Sequence, residues 1–299
     1  MLACSAKIRY NDSTFENKKK GSDRIRADGR RIHESPIMAA TPYIMPHRYD
    51  AQNMVTEYTD METLRAYIHG KRKEGVRISY MALILAAYHR AYLENPKINR
   101  FIVNKRLYQR NHFCVSFVML KTLPNGEPDE TTLKVFFEPD DDVISINEKI
   151  QRVIAENEGA DQKNATDKFA KFMFAMPLLP DLVVGLARLL DRWGLLPRWI
   201  IDLSPFHTSL FITNLASINT PHIFHHTYDF GTTSVFICMG KPVMDYIHGE
   251  YKKKLLPLSC VMDERICAGV DYANFWVSFQ RYLRHPELTE NPKTEEPTA

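Results

Sequence analysis

From residue 54 onward the chain alternates between two hydrophobic rhythms. Met54 to Thr59 predicts a short strand, and Asp60 stands as an N-cap before Leu64, Tyr67 and Ile68 at helical spacing. Ser79 caps the segment Tyr80 to Leu93, which is apolar on nearly every face and predicts a buried helix that stops at Asn95-Pro96. Phe113 to Leu120 and Thr132 to Phe137 predict two strands around a turn holding Pro124, Asn125, Gly126 and Pro128. Asp141 to Ala155 predicts an amphipathic helix with Val143, Ile146, Ile150, Val153 and Ile154 toward the core. Three further strands are expected at Ser209 to Thr213, Ser234 to Met239 and Leu255 to Met262. A last helix, Tyr272 to Leu283, ends at His285-Pro286. The mixture of strands and helices places the chain in the α/β (α+β) class.

The ends lack this rhythm. Residues 1–35 are polar and aperiodic, with the run Lys18-Lys19-Lys20, and read as a basic, loosely ordered leader. Pro286 to Ala299 holds three prolines and several acids and reads as a trailing tail, of which 291–299 lie beyond the folded part. The 299 residues carry 39 Lys and Arg against 36 acids, and all of the small positive excess sits in the leader. The body is close to neutral, so no nucleic-acid partner is expected. Residues 36–290 are expected to form one domain, with a helical insertion at about 165–202.

No apolar run follows the first positive charges as an export signal requires, so a cytoplasmic location is expected. Five scattered cysteines, none in a CxxC pair, encode neither a disulfide framework nor a zinc ribbon, and no metal site is expected. The most apolar stretch, Phe172 to Ile201, is interrupted by prolines and charges, with a short amphipathic helix at Leu182 to Leu190. It reads as a lid packed on the body or on a neighbouring subunit; contact of 172–201 with a membrane surface is the alternative. No glycine-rich phosphate loop is present in the sequence, which leaves nucleotide-dependent chemistry without support.

Several strings, in their order and spacing, resemble the acyltransferase fold shared by chloramphenicol acetyltransferase and the catalytic domains of dihydrolipoyl (2-oxoacid dehydrogenase) acyltransferases. They are Pro42 to Arg48 (PYIMPHR), the helix from Ser79 into Asn95-Pro96-Lys97-Ile98-Asn99, Ser209 to Leu215 (SLFITNL), the strand ending at Met239-Gly240, and Asp263 to Gly269 (DERICAG). The likeness covers roughly 36–290 and is closer to divergent, lipoyl-free relatives. It implies a mixed β-sheet flanked by helices, assembled as a homotrimer whose channels lie between subunits. It also implies acyl transfer from acyl-CoA or another acyl thioester to a small thiol, hydroxyl or amine acceptor, with CoA bound non-covalently as substrate and no covalent cofactor.

The family's string D-H-R-x-x-D-G supplies a histidine base. Here Glu264 stands at the histidine position and Ala268 at the second aspartate, while Asp263, Arg265 and Gly269 match. A carboxylate is a weaker base than an imidazole unless burial raises its pKa. Glu264 is therefore either a base or the partner of Arg265 or another cation. Ser209 falls where the family places the hydroxyl that hydrogen-bonds the oxyanion, and Asn214 matches a turn residue. His222, His225 and His226, with Asp229 nearby, offer a replacement base, as does His207; neighbouring His225 and His226 are expected to point apart, against a shared metal. Two readings remain: an acyltransferase, with Ser209, Glu264, His226 and His225 as catalytic candidates, or a non-catalytic scaffold or thioester-binding protein.

Overall fold

A computed structural model of the chain describes residues 26–122, 126–157, 179–247 and 250–291. Its larger sheet has seven strands. Strands β2 (Gln52–Asp60), β10 (Glu250–Asp263), β8 (Val235–Met239), β7 (Leu210–Asn214), β5 (Phe113–Thr122) and β6 (Pro128–Phe137) follow one another across it. β9 (Val243–Ile247) pairs with the far end of β10. β7 runs parallel to both β5 and β8 and every other pairing is antiparallel, so the sheet is mixed.

Helices cover the sheet. α2 (Met61–Lys73) starts where Asp60 accepts a hydrogen bond from Glu62 N, and α3 (Tyr80–Glu94) where Ser79 accepts one from Ala82 N. α3 is buried from Ala82 to His89 and again at Ala91, because it packs between two further helices, α4 (Val143–Asn157) and α7 (Gly269–Arg284), that also touch the sheet. Tyr88 joins these layers, with ring centroids 5.9 Å from Phe113 of β5 and 5.0 Å from Phe275 of α7.

A second, three-stranded sheet of β1 (Gly29–Arg31), β4 (Arg106–Arg110) and β3 (Arg100–Val103) has no counterpart in the hydrophobic pattern. The β3–β4 turn uses Asn104 and Lys105, both at positive φ, which is the backbone of a primed hairpin turn without its usual glycine. Helix α1 (Pro36–Ile44) is likewise short and weakly patterned.

The ends of the folded part differ from expectation. Residues 26–35 are not loose: β1 is paired, and Arg26 and Asp28 are buried in a charge cluster. Pro286 to Glu290 dock on the body as well, with Pro286 and Thr289 buried and Glu290 accepting from Lys71 Nζ at 2.7 Å and Tyr67 Oη at 2.9 Å. The lysine run of the leader, most of the tail, Cys4, part of the β5–β6 turn and residues 158–178 of the insertion lie outside the described residues.

The described part of the insertion forms α5 (Leu179–Trp193) and α6 (Arg198–Leu203). α5 is longer than the expected Leu182 to Leu190 and is pinned at its C-terminal end, where Arg26 bonds both the Asp191 carbonyl and its carboxylate at 2.6 Å. Its apolar face points outward, with Leu182, Leu186, Leu189 and Trp193 exposed. No helix among the described residues is long and apolar enough to cross a membrane.

Candidate functional site

The candidate residues gather at one end of the larger sheet. β10 ends at Asp263, directly opposite Gln52 at the start of β2, and Asp263 N donates to Ser234 O just before β8. Glu264 therefore turns off the sheet beside β2. Its amide donates to Ala51 O at 2.8 Å, and its carboxylate accepts from Asn53 Nδ2 at 2.9 Å. The ion pair that the sequence left open for Glu264 does not form among the described residues.

Arg265 pairs instead with Asp263 in a bidentate bond, at 2.8 and 2.7 Å, and a second guanidinium, Arg48, lies 3.4 Å from the same carboxylate. All three residues are buried. Two buried cations on one carboxylate require a second anion nearby. Asp229 supplies it, its Oδ1 accepting from Arg48 N at 2.7 Å. The guanidiniums also donate to carbonyls: Arg48 to Tyr228, Ile102 and Gly231, and Arg265 to Met45 and Pro46. The side chains of Asp263, Arg265 and Arg48 thus hold the segment 45–53 against the chain at 228–231. The Tyr272 hydroxyl, at the start of α7, donates to the Asp263 carbonyl and ties this corner to the helix. Gly269 opens that helix, and the half-buried Ala268 contributes its amide to Asp271 Oδ2 at 3.2 Å.

A cleft of about 460 Å³ opens beside this corner, walled by Tyr49, Phe206, His226, Tyr228, Asp229 and Phe230. Arg188 of α5 closes one side. Gly231, at φ +89°, is what lets Phe206 come close; a Cβ there would lie 2.2 Å from the Phe206 carbonyl oxygen.

The histidines divide. His226 is exposed and lines the cleft, whereas His225 stacks on Phe236 at 4.0 Å and its pKa is lowered by burial. Contrary to the expected divergence, the two rings stack on each other at 4.8 Å. His222 packs edge-on against Tyr58 of β2. His207 is fully buried, with Ser204 Oγ at 2.8 Å and Asp191 at 3.3 Å, and burial lowers its pKa; it belongs to the cluster that holds α5.

Ser209 lies one residue before β7, level with Asp263 but separated from it by β8, so two strand spacings, roughly 10 Å, divide the two backbones. Its hydroxyl faces β5: it accepts from Cys114 N at 3.1 Å and is 3.5 Å from the His112 carbonyl, with the residue 4% exposed. Within one chain Ser209 and Glu264 are bonded to opposite sides of the sheet. Next to Ser209, burial pushes the Cys114 thiol up, but Lys134, His112 and Arg110 together bring it down to about 6. Asn214 ends β7 and leads into a single 3₁₀ turn, in keeping with a turn residue.

In the sequence His47 and Arg48 stand out only as the end of the string Pro42 to Arg48, with no site role, and Tyr49 does not stand out at all. The only signal was the tripeptide Pro46-His47-Arg48 just ahead of a strand, and nothing local says that Arg48 reaches a carboxylate 215 residues away.

No protein-family model and no curated protein matches the sequence significantly. Solved structures do match in shape. A probable dihydrolipoamide acetyltransferase from Listeria monocytogenes 4b F2365 superposes with a TM-score of 0.52 at 14% identity, covering 90% of this chain and 98% of the other. A chloramphenicol acetyltransferase matches with a TM-score of 0.52 at 14% identity, over 85% of this chain and 99% of the other. A truncated catalytic core of the 2-oxoacid dehydrogenase multienzyme complex from Thermoplasma acidophilum matches with 0.51 at 11% identity, over 85% and 98%. The fold is that of chloramphenicol acetyltransferase and the dihydrolipoamide acetyltransferase catalytic domains, a mixed sheet flanked by helices. At these identities the likeness extends to the fold alone.

Proposed function

We propose that the protein is an acyltransferase that moves an acyl group from acyl-CoA, or another acyl thioester, to a small hydroxyl, amine or thiol acceptor. The observation that carries this reading is the state of Glu264. A chain that keeps the fold only as a scaffold has no use for an accessible carboxylate, yet Glu264 is held by a neutral amide, Asn53, while Arg265 is spent on Asp263. The cleft at Asp229 is open and lined by polar groups, His226 among them. Proton transfer at this corner and hydrogen bonding of the oxyanion by Ser209 are the two functions the chemistry needs.

The Ser209 hydroxyl is accepting from Cys114 N and has only a long contact for its own proton, so that proton is available to a developing oxyanion once the substrate reaches it. Its burial is the observation that favours the second reading, a non-catalytic thioester-binding protein. A homotrimer accompanies the first reading. Supporting it, β2 is an edge strand and exposes Met54 and Tyr58, with Ile223 and Phe224 also exposed.

The test is release of free CoA from a panel of acyl-CoAs with amine, alcohol and thiol acceptors, together with the molar mass in solution. Turnover by the wild type that falls about 10²-fold or more in Ser209→Ala supports acyl transfer. Acyl-CoA binding without turnover for any pair supports the thioester-binding protein instead.

A further inference from the structure

The corner around Asp263 holds a proton-accepting pair outside the D-E-R-I string. His47 Nδ1 lies 2.9 Å from Asp229 Oδ2, and Oδ1 of the same carboxylate is taken by Arg48 N at 2.7 Å. With both oxygens engaged, Asp229 is fixed, and it fixes the imidazole as an Nδ1–H donor. Nε2 then carries the lone pair and has no partner among the described residues. The ring plane is set a second time by stacking on Tyr49, at 4.9 Å and 4°. The backbone leading into His47 is set a third time, by Arg265 on the Met45 and Pro46 carbonyls. Asp229 and Tyr49, the two residues His47 contacts, both line the cleft, and the His47 side chain is 52% exposed.

We propose that His47, oriented by Asp229, is the general base of the reaction and takes the proton of an aromatic alcohol or amine bound in the cleft. This rests on the acyl-transfer reading and assigns its proton acceptor and acceptor substrate. The aromatic walls, Tyr49, Phe206, Tyr228 and Phe230, define the substrate class: a flat ring stacks there and leaves its hydroxyl or amine toward the rim. His47 is better placed than the other acceptors. Its Nδ1 has an orienting carboxylate, whereas no carboxylate among the described residues orients His226.

The step balances within this site. As the acceptor oxygen or nitrogen forms its bond to the thioester carbonyl carbon, its proton passes to His47 Nε2. The imidazolium that results faces Asp229, in a corner where Asp229 and Asp263 offset Arg48 and Arg265. Collapse of the tetrahedral intermediate breaks the carbon–sulfur bond, and the leaving CoA thiolate recovers the proton from Nε2. Ester or amide and free CoA are the products.

The experiment measures CoA release from acyl-CoAs with aromatic alcohols and amines for wild type, His47→Gln, His47→Ala and Asp229→Asn. The expected result is a loss in kcat of about 10² to 10⁴ in His47→Gln. Added imidazole restores part of the rate to His47→Ala, and Asp229→Asn lowers kcat with little change in KM. His47→Gln within about threefold of wild type overturns the role of His47 while leaving acyl transfer standing, because a general base contributes far more. If the His47 variants lose activity together with thermal stability, imidazole decides: rescue supports the base, and its absence overturns it. No CoA release by the wild type overturns the acyl-transfer reading and the role of His47 with it.

Discussion

Arg26 and Asp191, 165 residues apart, meet in the interior at 2.6 Å. Arg26 is 1% exposed and also bonds Asp28 at 2.9 Å, while Asp28 lies 3.8 Å from Arg110. Burial pushes the Asp191 carboxyl up, but His207 and Arg26 outweigh it and bring its pKa to about 2. Two cations and two anions thus neutralise one another out of water, and they join the segment before β1 to helix α5.

Removing one member leaves buried charge behind. Arg26→Ala is expected to destabilise the protein by about 3–5 kcal/mol. It also frees the end of α5, so urea unfolding shows a lower midpoint and limited proteolysis cuts earlier within α5. Arg26→Lys keeps the charge, but one ammonium cannot hold Asp28 and Asp191 in the same way, so it falls between the two.

Gly231→Ala is expected to cost more than an ordinary surface change. The position has φ +89°, and the added Cβ would sit 2.2 Å from the Phe206 carbonyl oxygen, a backbone atom that cannot rotate away. A loss of about 1–3 kcal/mol is expected from the strain. The displaced Phe206 is a wall of the cleft, so affinity for aromatic acceptors falls as well; chemical unfolding and titration calorimetry read the two effects separately.

The strands of the larger sheet other than β9, and the main helices, were legible because their sequence rhythm is strong and local. Tyr80 to Leu93 is apolar all round, Asp60 and Ser79 are ordinary caps, and Asp263 to Gly269 is a recognisable string. β1, β3 and β4 were not: each is three to five residues long, and their turn uses Asn104-Lys105 in place of a glycine. The ordered part of the leader was missed because Arg26 and Asp28 look solvated until Asp191 and Arg110 arrive from elsewhere in the chain. The site was half legible for the same reason. Glu264 and Ser209 were found by position in strings, whereas the bond between His47 and Asp229 spans 182 residues and leaves no local trace.

His89 gives the fold an acid sensitivity that can be isolated. It is fully buried in α3, between the rings of Tyr92 and Phe113, and burial lowers its pKa to about 4. The unfolded chain binds this proton near the ordinary histidine value of about 6.5, and the folded chain does not. Stability is therefore full above that pH and falls as pH drops from about 6.5 toward 4, by about 3 kcal/mol in all. His89→Leu is expected to remove this slope; unfolding free energies at several pH values check it.

The outward face of α5 makes a contrasting prediction. Leu186 and Leu189 are 53% and 54% exposed, so Leu186→Ser and Leu189→Ser are expected to change monomer stability by no more than about 0.5 kcal/mol. Thermal unfolding at low protein concentration checks this. A larger loss appearing only at high concentration would show that an assembly covers the face.

The pairing of β2 with β10 has a consequence for how the protein is made. Asn53 and Glu264, which face each other at the candidate site, are 211 residues apart. During synthesis β2 leaves the ribosome early and then waits for β10, its only strand partner among the described residues, and contacts of such long range form late. Until β10 arrives the strand has both edges open and its apolar residues uncovered, which is when neighbouring nascent chains can pair with it. The Arg48–Asp263 contact cannot exist before then, so the candidate site assembles only in a chain in which β10 has already paired.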